Sequence, residues 1–249
     1  MTRDRDQAHS RPAWAGDPLS LRAWIALIAL TCASMLIHAL LYPQLPALIP
    51  THWGQYGIDG WAPRWMALVF DAIPFLVVVV MWIVPQIDPR GRNFDRFKKV
   101  YRAFAVVCVM LVIAVTWLPD ITVWAVAPEI TQTGIVARLF YAIIGSAMLA
   151  LGNFLPRVRQ NYFFGYKTPW ALHDERNWFL THRFAGTATI VFGIAYLTAA
   201  ILCTPTGYID QGIILVIVNL CVRGAVYIYS LLVFCRDNRP LLRRPSEPR

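Results

Sequence analysis

Residues 65–84 read Trp65-Met-Ala-Leu-Val-Phe-Asp-Ala-Ile-Pro-Phe-Leu-Val-Val-Val-Val-Met-Trp-Ile-Val84, with Asp71 as the single charged side chain. That run has the length an α-helix needs to cross a hydrocarbon core of about 30 Å. It is continuously apolar and does not alternate, so it reads as a helix and not as a strand of a membrane barrel. Five further runs share its character, at 19–42, 101–118, 135–155, 182–202 and 211–235. What remains is tails and short connections, too little for a separate soluble domain. The expected fold is all-α, a polytopic membrane bundle of about six transmembrane helices.

Composition agrees. Of 249 residues, 57% are hydrophobic and 15% charged, against about 45–50% and about 25% in soluble domains. The mean hydropathy is +0.49, which excludes a disordered chain. A net charge of +9 would suggest nucleic acid in a soluble domain, but its distribution gives it another meaning. The tail through Arg22, the 85–102 loop, the 156–183 loop and the tail after Cys235 hold 20 of the 23 basic side chains. The loops on the opposite face, 43–64, 119–134 and 203–210, hold only Arg64. This positive-inside bias predicts both termini in the cytoplasm, in a bacterial inner membrane, with no direct nucleic-acid contact.

The chain accordingly divides into a cytoplasmic tail, 1–18, and a two-helix unit, 19–84, with an external loop at 43–64. A stretch at 85–134 follows, holding a basic cytoplasmic loop, the third helix and an external loop. The last parts are a unit at 135–235 with a cytoplasmic loop at 156–181, and a basic tail, 236–249. The first run ends in Leu40-Leu41-Tyr42-Pro43 without a small-residue cleavage site, so it reads as a retained span and not a signal peptide. The cysteines at 32, 108, 203, 221 and 235 lie in or at the ends of spans, without metal-type spacing. Each reads as a small buried hydrophobe, and no disulfide, metal or cofactor is expected.

Two connections carry motifs. In the external one, Pro43, Pro46 and Pro50 end the first helix, while Gly54, Gly57 and Gly60 permit tight turns. Thr51-His52-Trp53, Tyr56 and Asp59-Gly60-Trp61 give it polar and interfacial side chains. His52 is its one group that titrates near neutral pH. The loop reads either as a ligand-contacting or pH-sensitive element, or as a folded interfacial cap with a hydrogen-bonded histidine. In the cytoplasmic connection, Pro156 stops the fourth span, and Thr168 before Pro169 has the order of a helix N-cap and first turn. Asp174 and Glu175 favour a second start. Trp170, Trp178 and Phe179 with Arg176 and Arg183 make a stretch suited to the inner interface.

Asn161-Tyr-Phe-Phe-Gly165-Tyr-Lys167-Thr168-Pro169-Trp170-Ala-Leu, then Asn177-Trp178 and Thr181-His182-Arg183-Phe-Ala-Gly186, resembles the signature of the SdpI family of bacterial membrane proteins. The earlier Tyr42-Pro, Leu45-Pro46, Ile49-Pro50-Thr51-His52-Trp53, Gly57 and Asp59-Gly60-Trp61 resembles the short domain of unknown function that often precedes an SdpI segment. Lys167 stands where arginine is commoner, and His173-Asp174 replaces a serine-rich helix start. The family's name member protects a toxin-producing bacterium from its own secreted peptide and sequesters an autorepressor at the membrane. The resemblance therefore implies immunity or signal transduction, with membrane lipids, an extracellular peptide toxin and a cytoplasmic repressor as partners.

Polar side chains inside the spans are the remaining signal. Arg223 lies twelve residues from either end of its run, about 18 Å from each, and Asn219, Tyr227 and Ser230 share its face. Asp71 and Arg138 lie at similar depths below the external face, close enough for an ion pair, with Arg223 as another partner for Asp71. His38, Asp71, Arg138 and Arg223 read either as an outward-opening polar pathway or ligand pocket, or as pairing that fixes helix packing. Gly145 and Gly152, seven apart, mark a close helix contact. No hydrolase, metalloprotease or phosphate-binding motif occurs, so an enzyme is not expected. The function classes left are a binding and signalling protein, or a small transporter or ion pathway.

Overall fold

The computed structural model describes residues 19–54, 57–124, 132–202 and 208–242. Six of its helical segments are long and apolar enough to cross a membrane, and they coincide with the six apolar runs. The first is α1 (Leu21–Leu41). It is followed by a hairpin of β1 (Leu48–Gly54) and β2 (Gly57–Pro63), then by α2 (Trp65–Phe70) and α3 (Ala72–Ile87). These two form one span broken at Asp71. Pro74 has no N–H to give the Phe70 carbonyl, so the helix yields one turn ahead of it. The basic connection holds the single turn α4 (Asn93–Arg96), and α5 (Lys98–Thr116) is the third span. A further short helix, α6 (Leu118–Trp124), folds back at its end. The remaining helices are α7 (Gln132–Phe154), α8 (Pro169–His173), α9 (Glu175–Leu202) and α10 (Tyr208–Leu242).

Helices α1, α3 and α5 pack as one group and α7, α9 and α10 as another, joined where α5 meets α7. The joint between α7 and α9 is the most extensive, and glycine explains it. A Cβ on Gly186 would lie 2.7 Å from the Gly152 carbonyl oxygen, and one on Gly193 would lie 2.9 Å from that of Gly145. Two glycines spaced by seven on each antiparallel helix therefore bring the backbones into direct contact. The close contact expected at Gly145 and Gly152 is present.

The hairpin pairs Leu48 with Pro63 and Trp53 with Ile58, with an irregularity around Thr51. His52 Nδ1 and Asp59 Oδ1 meet at 2.5 Å on its exposed side. Gly54 and Gly60 make room for that pair: a Cβ on Gly54 would strike the Asp59 carboxylate, and one on Gly60 would lie 2.6 Å from His52 Cβ. Leu45 and Ile49 are buried with Ala67 beneath it. The external motif is thus folded, and its histidine has a carboxylate partner, Asp59, that the sequence reading left out.

Both helix starts expected in the second motif connection are used. Thr168 Oγ1 accepts from the Ala171 N–H at 3.1 Å to cap α8, and Asp174 Oδ2 accepts from the Asn177 N–H at 2.7 Å to open α9. Cys32, Cys108, Cys221 and Cys235 are free thiols, and Cys203 lies outside the described residues.

Candidate functional site

A buried polar cluster lies in the hairpin-side half of the bundle. Thr31, Ser34 and His38 occupy positions i, i+3 and i+7 of α1 and are all buried, so the first span turns a polar stripe inward and its apolar faces outward. At the end of that stripe His38 Nδ1 lies 2.9 Å from Asp71 Oδ2, and Nε2 lies 3.3 Å from Asp120 Oδ2. All three side chains are almost wholly inaccessible. Each carboxylate is placed by a helix irregularity, Asp71 at the break between α2 and α3 and Asp120 in the first turn of α6. The Trp117 ring packs on His38 with centroids 4.9 Å apart, and its indole N–H donates to Ser34 Oγ at 2.9 Å. Among the described residues the carboxylates have no hydrogen-bond donor of good alignment, so the cluster is held by ion-pair contact. An imidazolium can donate from both nitrogens, one to each carboxylate, whereas a neutral ring can donate to only one.

This arrangement corrects the expected pairing of Asp71 with Arg138 or Arg223. Asp71 is enclosed by α1 and α6 and takes His38 as its partner. Arg138 is exposed on α7. Arg223 is exposed on α10, and its Nε donates to Asn219 Oδ1 at 2.7 Å, one turn away. The sequence reading missed Asp120 altogether, because it lies in what was read as an external loop. The order Leu118-Pro119-Asp120, a helix-starting proline followed by a first-turn acid, was the available signal.

Next to the cluster is a cavity of about 770 Å³, lined by Thr51 and Trp53 of β1, Phe70 and Ile73, Thr116 and Pro119, Tyr141 of α7, Tyr196 of α9 and Val216 of α10. Phe70 and Pro119 are the chain neighbours of Asp71 and Asp120, so the wall of the cavity is also the support of the cluster. Thr51, Thr116 and the two tyrosines are the hydroxyl-bearing members of an otherwise apolar lining. The Trp53 indole N–H is buried with no acceptor among the described residues, a state that ordinarily calls for a partner. Of the external motif, Thr51 and Trp53 thus reach the cavity, while His52 and Asp59 face away from it with side chains 72% and 57% exposed. Gly57 and Gly60 serve the hairpin; Pro46 precedes β1 and Pro50 lies within it.

The second motif forms a hydrogen-bonded knot on the opposite, basic side. Asn161 Oδ1 accepts from the N–H groups of Phe163 and Phe164 at 2.9 and 2.6 Å. Gly165 has a φ of +91°, and a Cβ there would collide with the His182 ring. His182 Nε2 accepts from the Tyr166 N–H at 3.1 Å, which leaves Nδ1 as the donor to the Trp178 carbonyl at 2.9 Å. Trp178 stacks on His182 at 3.9 Å and donates from Nε1 to the Val158 carbonyl at 2.8 Å. Thr168 and Ser230 hydroxyls meet at 2.6 Å, and Asn177 binds both the Ser230 carbonyl and hydroxyl. Thr181 donates to Asn177 Oδ1 at 3.0 Å, and Trp170 packs edge-on against Tyr227 of α10. Lys167 turns back to the Phe163 carbonyl at 3.2 Å, Arg183 is exposed, and Gly186 touches Gly152. Asp88 and Gln160 were missed by the sequence reading. Asp88 accepts from the Tyr162 N–H at 2.8 Å, and Gln160 donates to the Ala171 carbonyl at 2.6 Å.

This knot also reaches Arg223. Counting from the ends of the apolar run places it near the middle of its span, and α8 packs against α10 at Tyr227, a single turn away. Arg223 and Asn219 line a fissure of about 270 Å³ together with Gly165 and Tyr166 of the knot. The arginine, near the middle of its span, therefore also faces the motif loop.

The chain matches the SdpI/YfhL protein family over residues 157–230 and a domain of unknown function, DUF1648, over residues 29–78. It is 24% identical over 169 residues to the immunity protein SdpI of Bacillus subtilis (strain 168), covering 68% of this chain and 77% of that one. No solved structure matches it. The DUF1648 segment holds His38, Asp71 and the hairpin, the SdpI/YfhL segment holds the knot and most of α9 and α10, and Asp120 falls between the two. The chain thus carries a segment similar to the SdpI/YfhL protein family behind a DUF1648 segment, in a bundle with six helices long and apolar enough to cross a membrane.

Proposed function

We propose that the chain protects a bacterial cell from an extracellular, membrane-active peptide, or relays the presence of that peptide, by binding it from the outer leaflet. In this reading the basic side lies in the cytoplasm and the hairpin outside, as the charge asymmetry favours. The observation that carries it is the apolar cavity beneath the hairpin, with the unpartnered Trp53 indole N–H in its wall. An apolar lining suits a hydrophobic peptide segment, and one buried donor suits a backbone carbonyl of that segment. The immunity function named for the Bacillus subtilis relative supports the same direction. On the cytoplasmic side, the exposed Tyr162, Phe163 and Lys167 are the surface a repressor would meet.

Survival of a peptide-sensitive bacterium expressing the chain tests this reading. Wild type should protect, Val216→Trp should abolish protection by filling the cavity, and Trp53→Phe should weaken it at least several-fold while membrane levels stay normal. Full protection by Val216→Trp would overturn the cavity as the binding place.

Transport is favoured by a separate observation. The outer cavity and the fissure at Arg223 follow one another along α7, α9 and α10, with Tyr141, Phe192 and Leu215 packed between them. Proton or solute flux in liposomes, increased by Phe192→Ala, is the result that would decide for this second reading.

A further inference from the structure

On the basic face, a cleft of about 450 Å³ is lined by Arg96, Lys98, Lys99, Arg157, Arg159 and Phe179, with Asp95 as the one carboxylate in its lining. Glu175 stands nearby, 3.9 Å from Arg96 and mostly exposed. Five cations against two carboxylates, Asp95 and Glu175, leave a net positive charge in the cleft. Their depth is informative: Lys98 is the first residue of the α5 span and Arg157 the last of the α7 span. The cleft therefore opens at the border between hydrocarbon and headgroups, where a polybasic pocket meets lipid phosphate.

A second feature starts from the same two helices. An apolar groove of about 450 Å³ runs between α5 and α7, with Val106, Met110, Ile143, Ser146 and Ala150 in its walls. Val106 and Met110 lie seven and eleven residues beyond Lys99 on α5, and Ala150 and Ser146 lie on α7 ahead of the 3-10 turn Leu155–Arg157 that follows it. On α5 the spacing keeps the groove on the face that carries Lys99, and the turn bearing Arg157 closes the α7 wall. The groove begins about 10 Å from the cleft, measured along the helices. Val106 and Met110 are 41% and 48% exposed, so no described segment of the chain covers them.

We propose that cleft and groove form one binding site for an anionic phospholipid, its phosphate among Arg96, Lys98, Lys99, Arg157 and Arg159, and an acyl chain between α5 and α7. The site is separate from the peptide cavity and does not depend on the immunity reading. Binding to the full-length protein can be measured in nanodiscs of phosphatidylcholine containing increasing phosphatidylglycerol, by native mass spectrometry of the retained lipid. Wild type should retain phosphatidylglycerol over phosphatidylcholine. Removing two cations with Lys99→Ala and Arg157→Ala should weaken that preference roughly 30-fold. Met110→Trp, which leaves the charges intact, should lower retention of both lipids, and free glycerol phosphate should not displace the bound lipid. Equal retention of the two lipids by wild type, or an unchanged preference in the charge variant, would overturn the site. Displacement by glycerol phosphate with no effect of Met110→Trp would reassign the cleft to a soluble phosphate compound and overturn the lipid.

Discussion

Replacing His38 with leucine is expected to unfold the hairpin-side half of the protein. The substitution leaves the Asp71 and Asp120 carboxylates, 2% and 0% exposed, without the one side chain that reaches both. Breaking a buried charge pair by removing one partner typically costs about 3–5 kcal/mol, and here one side chain serves two carboxylates. Thermal unfolding of the purified protein in detergent should show the loss, and protection of cells should disappear with it. The neutralised triple variant, His38→Leu with Asp71→Asn and Asp120→Asn, should recover much of the stability, because it removes the uncompensated charge. Strong coupling is therefore expected between positions 38 and 71 and between 38 and 120. Additive effects at these positions would contradict the cluster. A double-mutant cycle between Asp71 and Arg138, the pair that the helix depths suggested, should by contrast show little coupling.

The second large effect is expected where α7 and α9 touch. Gly186→Ala places a methyl group 2.7 Å from the Gly152 carbonyl oxygen and 2.8 Å from the Pro156 ring. These neighbours cannot rotate away as a flexible side chain would. The helices must separate, so overpacking should destabilise by about 1–3 kcal/mol, and Gly152→Ala should act likewise. Gly224→Ala on α10 supplies the control. Nothing lies within 4 Å of a Cβ there, so the gain in helix propensity, about 0.8–1 kcal/mol, is unopposed. Opposite signs for the same substitution are the expected result in melting measurements. A loss of stability in Gly224→Ala equal to that of Gly186→Ala would mean that tight helix contact is not what the glycines provide.

Much of this was legible in the sequence because a bilayer imposes one length and one polarity on every spanning segment. All six spans follow from that rule. Their ends shift where local chemistry intervenes, as at α9, which begins at Glu175 once Asp174 caps it. The hairpin was legible only as a folded cap. Proline within a run argues against a strand, yet a two-stranded edge tolerates Pro50 and Pro63 where no ladder donor is needed. The knot residues were identified by motif, but their roles depend on contacts across distant segments, such as Thr168 with Ser230. The polar cluster was half visible. His38 and Asp71 stood out as polar side chains in apolar runs, whereas Asp120 looked like an ordinary loop acid until α6 carried it into the interior. Arg223 stood out in the apolar run, but its neighbours there, Asn219 and the motif loop, depend on how the loop packs against α10.

The central claim is that the cavity beneath the hairpin receives an apolar segment of an extracellular peptide. A photo-crosslinking phenylalanine analogue in place of Val216, in the cavity wall, tests it most directly, with the same analogue in place of Leu232, 61% exposed on the other end of α10, as the comparison. Illumination of cells challenged with the toxin should join the peptide to the protein at position 216 and not at 232, and Trp53→Phe should reduce the yield. Protection that persists with no crosslink at 216, or equal crosslinking at both positions, would contradict it.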